Sequence, residues 1–233
     1  MAIALQRVND EIVRCRACPR LVAWREEVAR RKVARHRACA YWGRPVPGYG
    51  DPRAAILVLG LAPGAHGANR TGRVFTGDRS GDFLFAALHR AGLASQPSST
   101  ALDDGLVMRG VYVSLAVRCV PPDNAPAGDE IARCAHFIDA EVLALPGLRA
   151  VLALGAIAWR AYVDHVRRRG APPHPARPAF AHGARADFAA PASAPPLFGS
   201  YHVSQQNTQT GKLTPAMFDE VLQRVTAQAK ISP

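Results

Sequence analysis

Four of the five cysteines in this chain are spaced in a way that could hold a metal. Cys15 and Cys18 form a CxxC pair near the start, and Cys119 and Cys134 lie fifteen positions apart further along. An odd number of cysteines argues against a disulfide framework. Four thiolates suit either zinc or an iron–sulfur cluster, and the wide second spacing favours a cluster. A redox-active CxxC with two buried thiols, or no metal site at all, are the alternatives, and Cys39 is the cysteine left over.

Three further stretches carry polar or glycine-rich residues that could bind or transform a ligand. They are GLAPGAHGANRTGRVFTGD at 60–78, PPDN at 121–124 and HVSQQNTQTGK at 202–212. The glycines allow the backbone to approach a ligand closely. The stretches contain neither the GK[ST] of a P-loop nor the GxGxxG of a dinucleotide site, so those two ligand classes are not indicated.

The key residues in these stretches also have plain structural interpretations. Phe75 could belong to the core and Asp78 could cap the next helix. Asn124 could hold a turn, and His202 could be a buried histidine with its hydrogen bonds satisfied. A shared site is favoured because each stretch follows a predicted strand, and ligands bind beyond the carboxyl ends of parallel strands. The sequence therefore predicts a site there without naming its ligand.

The elements that must position these stretches alternate between short apolar strands and longer helices. The predicted strands are 54–60, 110–117, 149–154 and 198–203, and the predicted helices are 80–91, 128–145, 156–166 and 215–230. Ser80 is predicted to be the N-cap of the first of these helices, and the arginine-rich stretch 4–40 is predicted to be helical. Residues 171–196, with seven of the 19 prolines, are predicted to form a long surface loop. The alternation indicates an α/β fold whose mostly parallel sheet is covered on both faces.

The chain is strongly basic, and the charge is concentrated in two segments. The 29 Lys and Arg residues exceed the 18 Asp and Glu residues by 11. Residues 14–53 hold eleven basic side chains against three acidic ones, and residues 160–185 hold six against one. Arginine suits bidentate contact with phosphate, so a polyanion, most simply nucleic acid, is the expected partner. A solvated basic surface, or a GC-rich genome that favours arginine, is the alternative.

Length and composition argue against several classes of protein. At 233 residues, with 48% hydrophobic and 20% charged residues, the chain can bury a core without disulfides and is not of a disordered type. No apolar run reaches the roughly 18 to 20 residues of a membrane span. The opening MAIALQRVNDEIVR turns amphipathic too soon for a signal peptide. A secreted, membrane or fibrous protein is therefore not indicated. We expect one domain over residues 1–233, and a cytoplasmic monomer.

The three stretches and the cysteines together resemble a known family. GLAPGAHGANRTGRVFTGD, the PPDN that follows Cys119 and YHVSQQNTQTGKLT are similar to motifs of the uracil-DNA glycosylase superfamily, and in particular of its family 5, the B-type group. The resemblance covers nearly the whole chain. It implies a three-layer α/β/α sandwich around a four-stranded parallel sheet, and hydrolysis of the N-glycosidic bond between uracil and deoxyribose in DNA. It also implies a structural [4Fe–4S] cluster, with the segment 1–53 packed around it, held by Cys15, Cys18, Cys119 and Cys134.

The resemblance further implies roles for individual residues. Phe75 would stack on the extruded base, and His202 would donate a hydrogen bond to a uracil carbonyl oxygen as negative charge develops there. Asn124 would read the base edge or hold water. The backbone of one continuous segment would line the pocket, namely Gly60, Leu61, Ala62, Pro63 and Gly64. The loop 203–210 would wedge into the duplex while basic segments contact phosphates on either side of the extruded base.

The chain departs from many superfamily members at two positions. Where they carry an acidic or amide residue to orient the attacking water, this chain has Ala62, as expected for the B-type group. Where some relatives carry a base-reading Asn, it has Leu115. Asp78 is then the nearest candidate in sequence for positioning water or stabilising a cationic sugar. Both changes weaken strict selection for uracil, so the resemblance implies further substrates such as hypoxanthine and other deaminated bases.

Two other functions are compatible with parts of the sequence. A related branch of the superfamily captures uracil-containing DNA without turnover, and the arginine run 167–169 superficially resembles its basic insertion. That run lies elsewhere along the chain and lacks the histidine that follows in that branch. A zinc-stabilised nucleic-acid adaptor would explain the cysteines and the charge but not the three motifs. A glycosylase of this kind is expected in the cytoplasm, associated with the nucleoid while it is bound to DNA.

Overall fold

A computed structural model shows the fold, and the structure describes residues 2–170, 178–188 and 194–231. The strands are β1 (Tyr49–Gly50), β2 (Ile56–Gly60), β3 (Val111–Leu115), β4 (Ala150–Leu154), β5 (Arg185–Ala186) and β6 (Leu197–Ser200). They form one sheet in the order β1-β3-β2-β4-β6-β5. Strands β3, β2, β4 and β6 are parallel, and the two-residue strands β1 and β5 pair antiparallel at the edges. The predicted four-stranded parallel sheet is confirmed, and each edge carries one additional short strand.

The helices cover both faces of this sheet. They are α1 (Ala2–Arg14), α2 (Pro19–Arg31), α3 (Ala68–Thr71), α4 (Arg79–Arg90), α5 (Gly128–Ala144), α6 (Ala156–Arg168), α7 (Gln205–Gln209) and α8 (Pro215–Ala229), with single 3-10 turns at Ala34–His36 and Pro122–Asn124. Helices α4 and α8 pack on one face, and α1, α5 and α6 pack on the other. The predicted α/β/α sandwich is therefore confirmed. No helix in the described part of the chain is long and apolar enough to cross a membrane.

The apolar runs form strands because both sides of each strand must be buried. In β2, Ile56 and Val58 belong to the core beneath α4 and α8, whereas Leu57 and Leu59 belong to the core beneath α5 and α6. Side chains alternate across a strand, so a strand covered on both faces needs apolar residues at every position. All five residues of β2 are buried, as this argument requires.

Several predicted helices, strands and loops begin or end at other residues than expected. The second parallel strand ends at Leu115, so Cys119 lies in the segment after it. Asp78, and not Ser80, is the N-cap of α4, because the Asp78 side chain accepts a hydrogen bond from the backbone N–H of Gly81 (3.1 Å). The predicted wedge loop 203–210 contains the short helix α7, capped by the side chain of Ser204. Part of the predicted proline-rich loop 171–196 lies outside the described residues, and Arg185–Ala186 within it forms β5.

The parallel strands bring the carboxyl ends of β2, β3 and β6, which the three predicted stretches follow, to the same edge of the sheet. The chain crosses from β2 to β3 on one side, and then returns to place β4 and β6 on the other side of β2. Such a reversal leaves a crevice outside the carboxyl ends of the strands, where ligands of open α/β sheets bind. Gly155, directly after β4, has a left-handed φ of +96°, and its Cα faces the side chain of His202, which follows β6.

Candidate active site

A cavity of about 640 Å³ opens at this edge of the sheet. Most of the residues that the sequence predicts for a site line it together: Leu61, Ala62, Gly64, Phe75, Asp78, Leu115, Asn124 and His202. Gly60 and Pro63, which were also predicted to line the pocket, are buried outside the cavity lining. Three stretches that are far apart in the chain thus converge on one concave surface, which is the usual form of a small-ligand site.

Phe75 forms one wall of the cavity in an unusual backbone conformation. Its φ of +49° is left-handed, which is costly for a residue with a side chain, and strained residues of this kind cluster at functional sites. Two glycines make this placement possible. A Cβ on Gly60 would lie 2.5 Å from the Phe75 ring, and a Cβ on Gly81 would collide with the Phe75 carbonyl group. Phe75 packs into the main core as well as facing His202, with ring centroids 6.3 Å apart, so an aromatic surface is held rigidly beside the histidine.

Asp78 is both a helix cap and a cavity residue. One carboxylate oxygen accepts the N–H of Gly81 (3.1 Å), and the other lies against two glycines. A Cβ on Gly64 would be 2.7 Å from that second oxygen, and a Cβ on Gly67 would be closer still. Burial raises the pKa of Asp78, although hydrogen bonds from the first turn of α4 act in the opposite direction. The carboxylate is therefore fixed in orientation and close-packed at the cavity surface.

His202 lies opposite this wall, two residues after the end of β6. Its backbone carbonyl accepts a hydrogen bond from the Asn207 side chain (2.8 Å), which ties it to α7. Burial lowers the pKa of His202 to about 4, so the imidazole is neutral at pH 7. Within the described ranges, no protein group hydrogen-bonds to its ring nitrogens, which leaves them available to a ligand in the cavity.

Asn124 lies at the exposed rim of the cavity, in a turn with strained backbone. Asp123 and Asn124 have left-handed φ values of 52° and 56°. Asparagine and aspartate tolerate this conformation better than most residues, so the interpretation of Asn124 as a turn residue is correct. The same turn also places Asn124 in the cavity lining, beside Asp123.

Sequence reasoning missed several residues that line the cavity. Three of them belong to the first motif but were given no role: Ala65, His66 and Gly67. The others come from separate segments: Arg35, Arg79, Ser80, Ser204, Gln205 and Gln206. His66 could have been found from its position inside the glycine-rich motif. No local signal identifies Arg35, because it lies among many arginines and reaches the cavity only through tertiary packing.

The four predicted cluster ligands gather in a small hydrophobic cluster of their own. Cys18, Cys119 and Cys134 are buried there, and Cys15 packs against them at the edge. Cys39 is not part of this group. No set of three or more His, Cys, Asp or Glu side chains in residues 2–170, 178–188 and 194–231 is arranged to hold a metal ion. The structure thus brings the four thiols into one region without giving them the arrangement of a single-ion site.

A buried guanidinium lies beside these thiols. Arg25, only 2% exposed, donates to the sulfur of Cys119 (2.9 Å) and to the carbonyl oxygen of Cys15 (3.3 Å). Its Nε is buried and has no hydrogen-bond partner among the residues described, and the Glu26 carboxylate approaches no nearer than 4.0 Å. A buried cation with so little compensation is costly. The surroundings of Arg25 therefore suit a group that makes the neighbouring sulfur atoms anionic.

The arginines of the basic N-terminal segment do not all face solvent. Arg20 pairs with the buried Glu130 carboxylate (2.7 Å), and Arg25 is buried at the thiols. Arg35 from the same segment is exposed and lines the cavity, as does the exposed Arg79 of α4. Positive charge at the cavity mouth thus comes from two separate segments, while other arginines of the basic segment hold the N-terminal helices in place.

Comparison with known proteins identifies the superfamily to which this parallel sheet and these motifs belong. The family model described as the uracil DNA glycosylase superfamily matches residues 47–226, and the chain belongs to that superfamily.

The relatives narrow the class further. The chain is 55% identical to the type-5 uracil-DNA glycosylase of Thermus thermophilus over 208 residues, which are 89% of this chain and 90% of the relative. It is 48% identical to the type-5 uracil-DNA glycosylase of Mycobacterium bovis over 96% of this chain and 81% of the relative. It is 43% identical to that of Pyrobaculum aerophilum over 94% and 91%. These similarities confirm the resemblance to family 5.

Proposed function

We propose that this protein is a DNA-repair glycosylase that hydrolyses the N-glycosidic bond of uracil in DNA and leaves an abasic site. The meeting of Phe75, Asp78 and His202 around one cavity, in a chain closely related to type-5 uracil-DNA glycosylases, carries this proposal. A base in a duplex must be extruded to enter such a cavity, at a cost of a few kcal/mol. Arg35 and Arg79 at the cavity are suited to offset part of that cost through contacts with phosphates.

Two side chains are proposed to hold the extruded base. Phe75 offers an aromatic face, and stacking on such a face is worth about 1–3 kcal/mol per base. His202 offers an N–H to a uracil carbonyl oxygen. As the bond between C1′ and the base nitrogen breaks, its electron pair moves onto the uracil, and the neutral imidazole stabilises the charge that develops on that oxygen.

Asp78 is proposed to act on the sugar side of the same bond. Ala62 has no polar side chain to orient water, so Asp78 is the carboxylate at the cavity that can do so. Its negative charge stabilises the oxocarbenium-like sugar, and it accepts a proton from the water molecule whose oxygen bonds to C1′. The uracil anion departs and takes up a proton from solvent. A pKa raised by burial suits a general base, whose best pKa lies near the working pH.

The substrate range is proposed to extend beyond uracil to other deaminated bases such as hypoxanthine. Leu115 and Ala62 give the cavity apolar surface at two positions and place no hydrogen-bond partner there to select one base edge. Asn124 at the rim is left to contact the base edge or hold water. A cavity of about 640 Å³ has room for a purine as well as a pyrimidine.

We also propose that Cys15, Cys18, Cys119 and Cys134 hold a [4Fe–4S] cluster. The residues fit this group, because four thiols lie together beside a buried guanidinium with an unsatisfied Nε. Each cysteine of such a cluster binds a different iron, so the four need not converge as they would around one ion. The group would supply a structural link between the N-terminal helices, the segment after β3 and α5. A purified protein with broad visible absorption and iron supports this; a colourless protein with stoichiometric zinc contradicts it.

The experiment that tests the function uses oligonucleotides with a single uracil, hypoxanthine or undamaged base. After incubation, alkali cleaves the strand at abasic sites, so scission at the uracil position is the expected result. A shifted but uncleaved complex would instead indicate a protein that binds uracil-containing DNA without turnover.

The protein is further proposed to act as a monomer in the cytoplasm. Sedimentation in the presence and absence of DNA would test the oligomeric state, and cell fractionation would test the location.

A further inference from the structure

His66, which lines the cavity, has a hydrogen-bond partner that lies outside the three motif stretches. The Tyr41 hydroxyl lies 3.0 Å from Nδ1 of His66, and the two rings meet edge-to-face at 6.1 Å between centroids. The His66 backbone is fixed too, because its carbonyl accepts the Nε–H of Arg70 (2.7 Å), whose own terminal nitrogen donates to the carbonyl of Gly77 (3.1 Å). Both the ring and the backbone carbonyl of His66 therefore have hydrogen-bond partners. His66 is not among the residues proposed to contact the base or the sugar.

A hydrogen bond donated by the Tyr41 hydroxyl to Nδ1 would fix the hydrogen of the neutral His66 ring on Nε2. Burial raises the pKa of Tyr41 above its ordinary value, so the hydroxyl keeps its proton and can donate it to Nδ1. Burial, Arg35 and Arg70 lower the pKa of His66, so the ring is neutral at pH 7. A neutral imidazole that accepts at Nδ1 carries its hydrogen on Nε2. No hydrogen bond occupies Nε2 in the described part of the chain, and His66 lines the cavity.

The groups around this pair make the cavity wall positive. Arg35 lines the same cavity and is exposed. The Asp78 carboxylate packs against Gly67, the residue after His66, and Asp123 also lines the cavity. The other charged and titratable groups near His66 and Tyr41 are Arg35, His36, Arg70, Lys32 and Cys39. A donor N–H beside an exposed guanidinium suits a phosphate oxygen better than it suits a neutral base edge.

We propose that His66 and Arg35 form a clamp for one of the two phosphates that flank the extruded nucleotide, with Tyr41 as the positioning residue that sets the His66 tautomer. This clamp rests on the proposed glycosylase function and adds to it. Phe75 and His202 hold the base, and the clamp holds the backbone of the same nucleotide. The basic N-terminal segment thereby supplies Arg35 to the cavity and Tyr41 as the partner of His66, which links the region around the cysteines to DNA binding.

The test is a cycle that combines protein substitutions with removal of phosphate charge. Uracil oligonucleotides are prepared with a neutral methylphosphonate either 5′ or 3′ to the uridine, and KM and kcat are measured for the wild-type protein, His66→Ala and Arg35→Gln. With ordinary phosphates we expect KM to rise about tenfold or more in each variant, as for loss of a hydrogen bond to a charged group. At one methylphosphonate position the wild-type protein should show the same rise, and the substitutions should add little.

Two controls separate a clamp from a merely structural effect. Arg109→Gln removes an exposed arginine that lies outside both basic segments and does not line the cavity, and it should leave KM unchanged on every substrate. Tyr41→Phe keeps the edge-to-face packing but removes the hydroxyl. It should raise KM less than His66→Ala, and NMR correlations within the His66 ring should show a mixture of tautomers in place of one.

The outcomes distinguish the clamp from the function on which it rests. If the wild-type protein cleaves no uracil oligonucleotide, the proposed function fails. If it cleaves all of them and is indifferent to both methylphosphonates, the clamp is overturned whether or not the variants fold. The clamp is also overturned if His66→Ala and Arg35→Gln slow the phosphate and methylphosphonate substrates by the same factor, because the substitutions then act without the phosphate.

Discussion

Replacing Gly67 with alanine tests whether the position of the Asp78 carboxylate controls the reaction. A Cβ on Gly67 would lie 2.6 Å from the carboxyl carbon of Asp78 and 3.0 Å from its Cβ. Carbon atoms in favourable contact are about 3.5–4.0 Å apart, so the carboxyl group must retreat by about 1 Å. The φ of Gly67 is −95° and its ψ is −106°, outside the α and β regions, so alanine there also brings backbone strain of about 1–3 kcal/mol.

The expected loss follows from that displacement. A shift of about 1 Å in a positioned catalytic group can cost about 100-fold in rate. The same movement disturbs the hydrogen bond that Asp78 accepts from the N–H of Gly81, and loss of a helix cap costs about 1 kcal/mol. In a chain of this size each kcal/mol lowers Tm by about 2–4 °C, so the lost cap and the backbone strain together lower it by about 4–16 °C. Gly67→Ala should therefore be folded at 25 °C and still cleave about 100-fold more slowly.

The assay is single-turnover cleavage of a uracil oligonucleotide, read after alkali treatment. Gly128→Ala is the matched control, because a Cβ there meets nothing within 4 Å. Asp78→Asn gives the rate without an ionisable carboxylate. Since Gly67 acts only through Asp78 in this argument, the double variant should be no slower than Asp78→Asn alone. A Gly67→Ala protein as fast as Gly128→Ala, or a double variant well below Asp78→Asn, would refute the reasoning.

Three further predictions concern pH, the base and the cysteines. Because burial raises the pKa of Asp78 and the reaction needs its ionised form, single-turnover rates should fall as pH decreases, along a limb centred above the usual range of aspartate. The residual activity of Asp78→Asn should lack that limb in the same pH series. Phe75→Leu keeps apolar volume but removes the stacking face, so steady-state assays should show KM raised about tenfold. Cys134→Ser should lose visible absorption and melt at a lower temperature, whereas Cys39→Ser should match the wild-type protein in both measurements.

The layered fold could be predicted from the sequence because its central strands are buried on both sides. The run Ile56–Gly60 is apolar at every position, and only a covered parallel strand accommodates such a run. The edge strands could not be predicted in this way. Tyr49–Gly50 and Arg185–Ala186 are two residues each and carry no periodicity, so they are strands only because a neighbouring strand offers free hydrogen-bonding groups.

The candidate site could likewise be predicted from the sequence only in part. Phe75, Asp78 and His202 lie in stretches that directly follow strands, so their meeting could be anticipated from the topology. Tyr41 could not be anticipated, because its contact with His66 joins segments 25 residues apart through tertiary packing alone. The prediction of the N-cap residue was wrong for a different reason. Asp78 and Ser80 are both good N-cap residues two positions apart, and the choice between them depends on how the preceding turn packs.

The structural and functional interpretations of Asp78 do not exclude each other. Capping fixes one oxygen on the N–H of Gly81, and the packing of Gly64 and Gly67 fixes the other, so the carboxylate reaches the cavity in one orientation. A group held in this way need not reorganise when the transition state forms, and that saving is a main source of catalytic power. In the proposed mechanism the cap is therefore part of the chemistry, because a free carboxylate at the same place would lose the orientation that the helix provides.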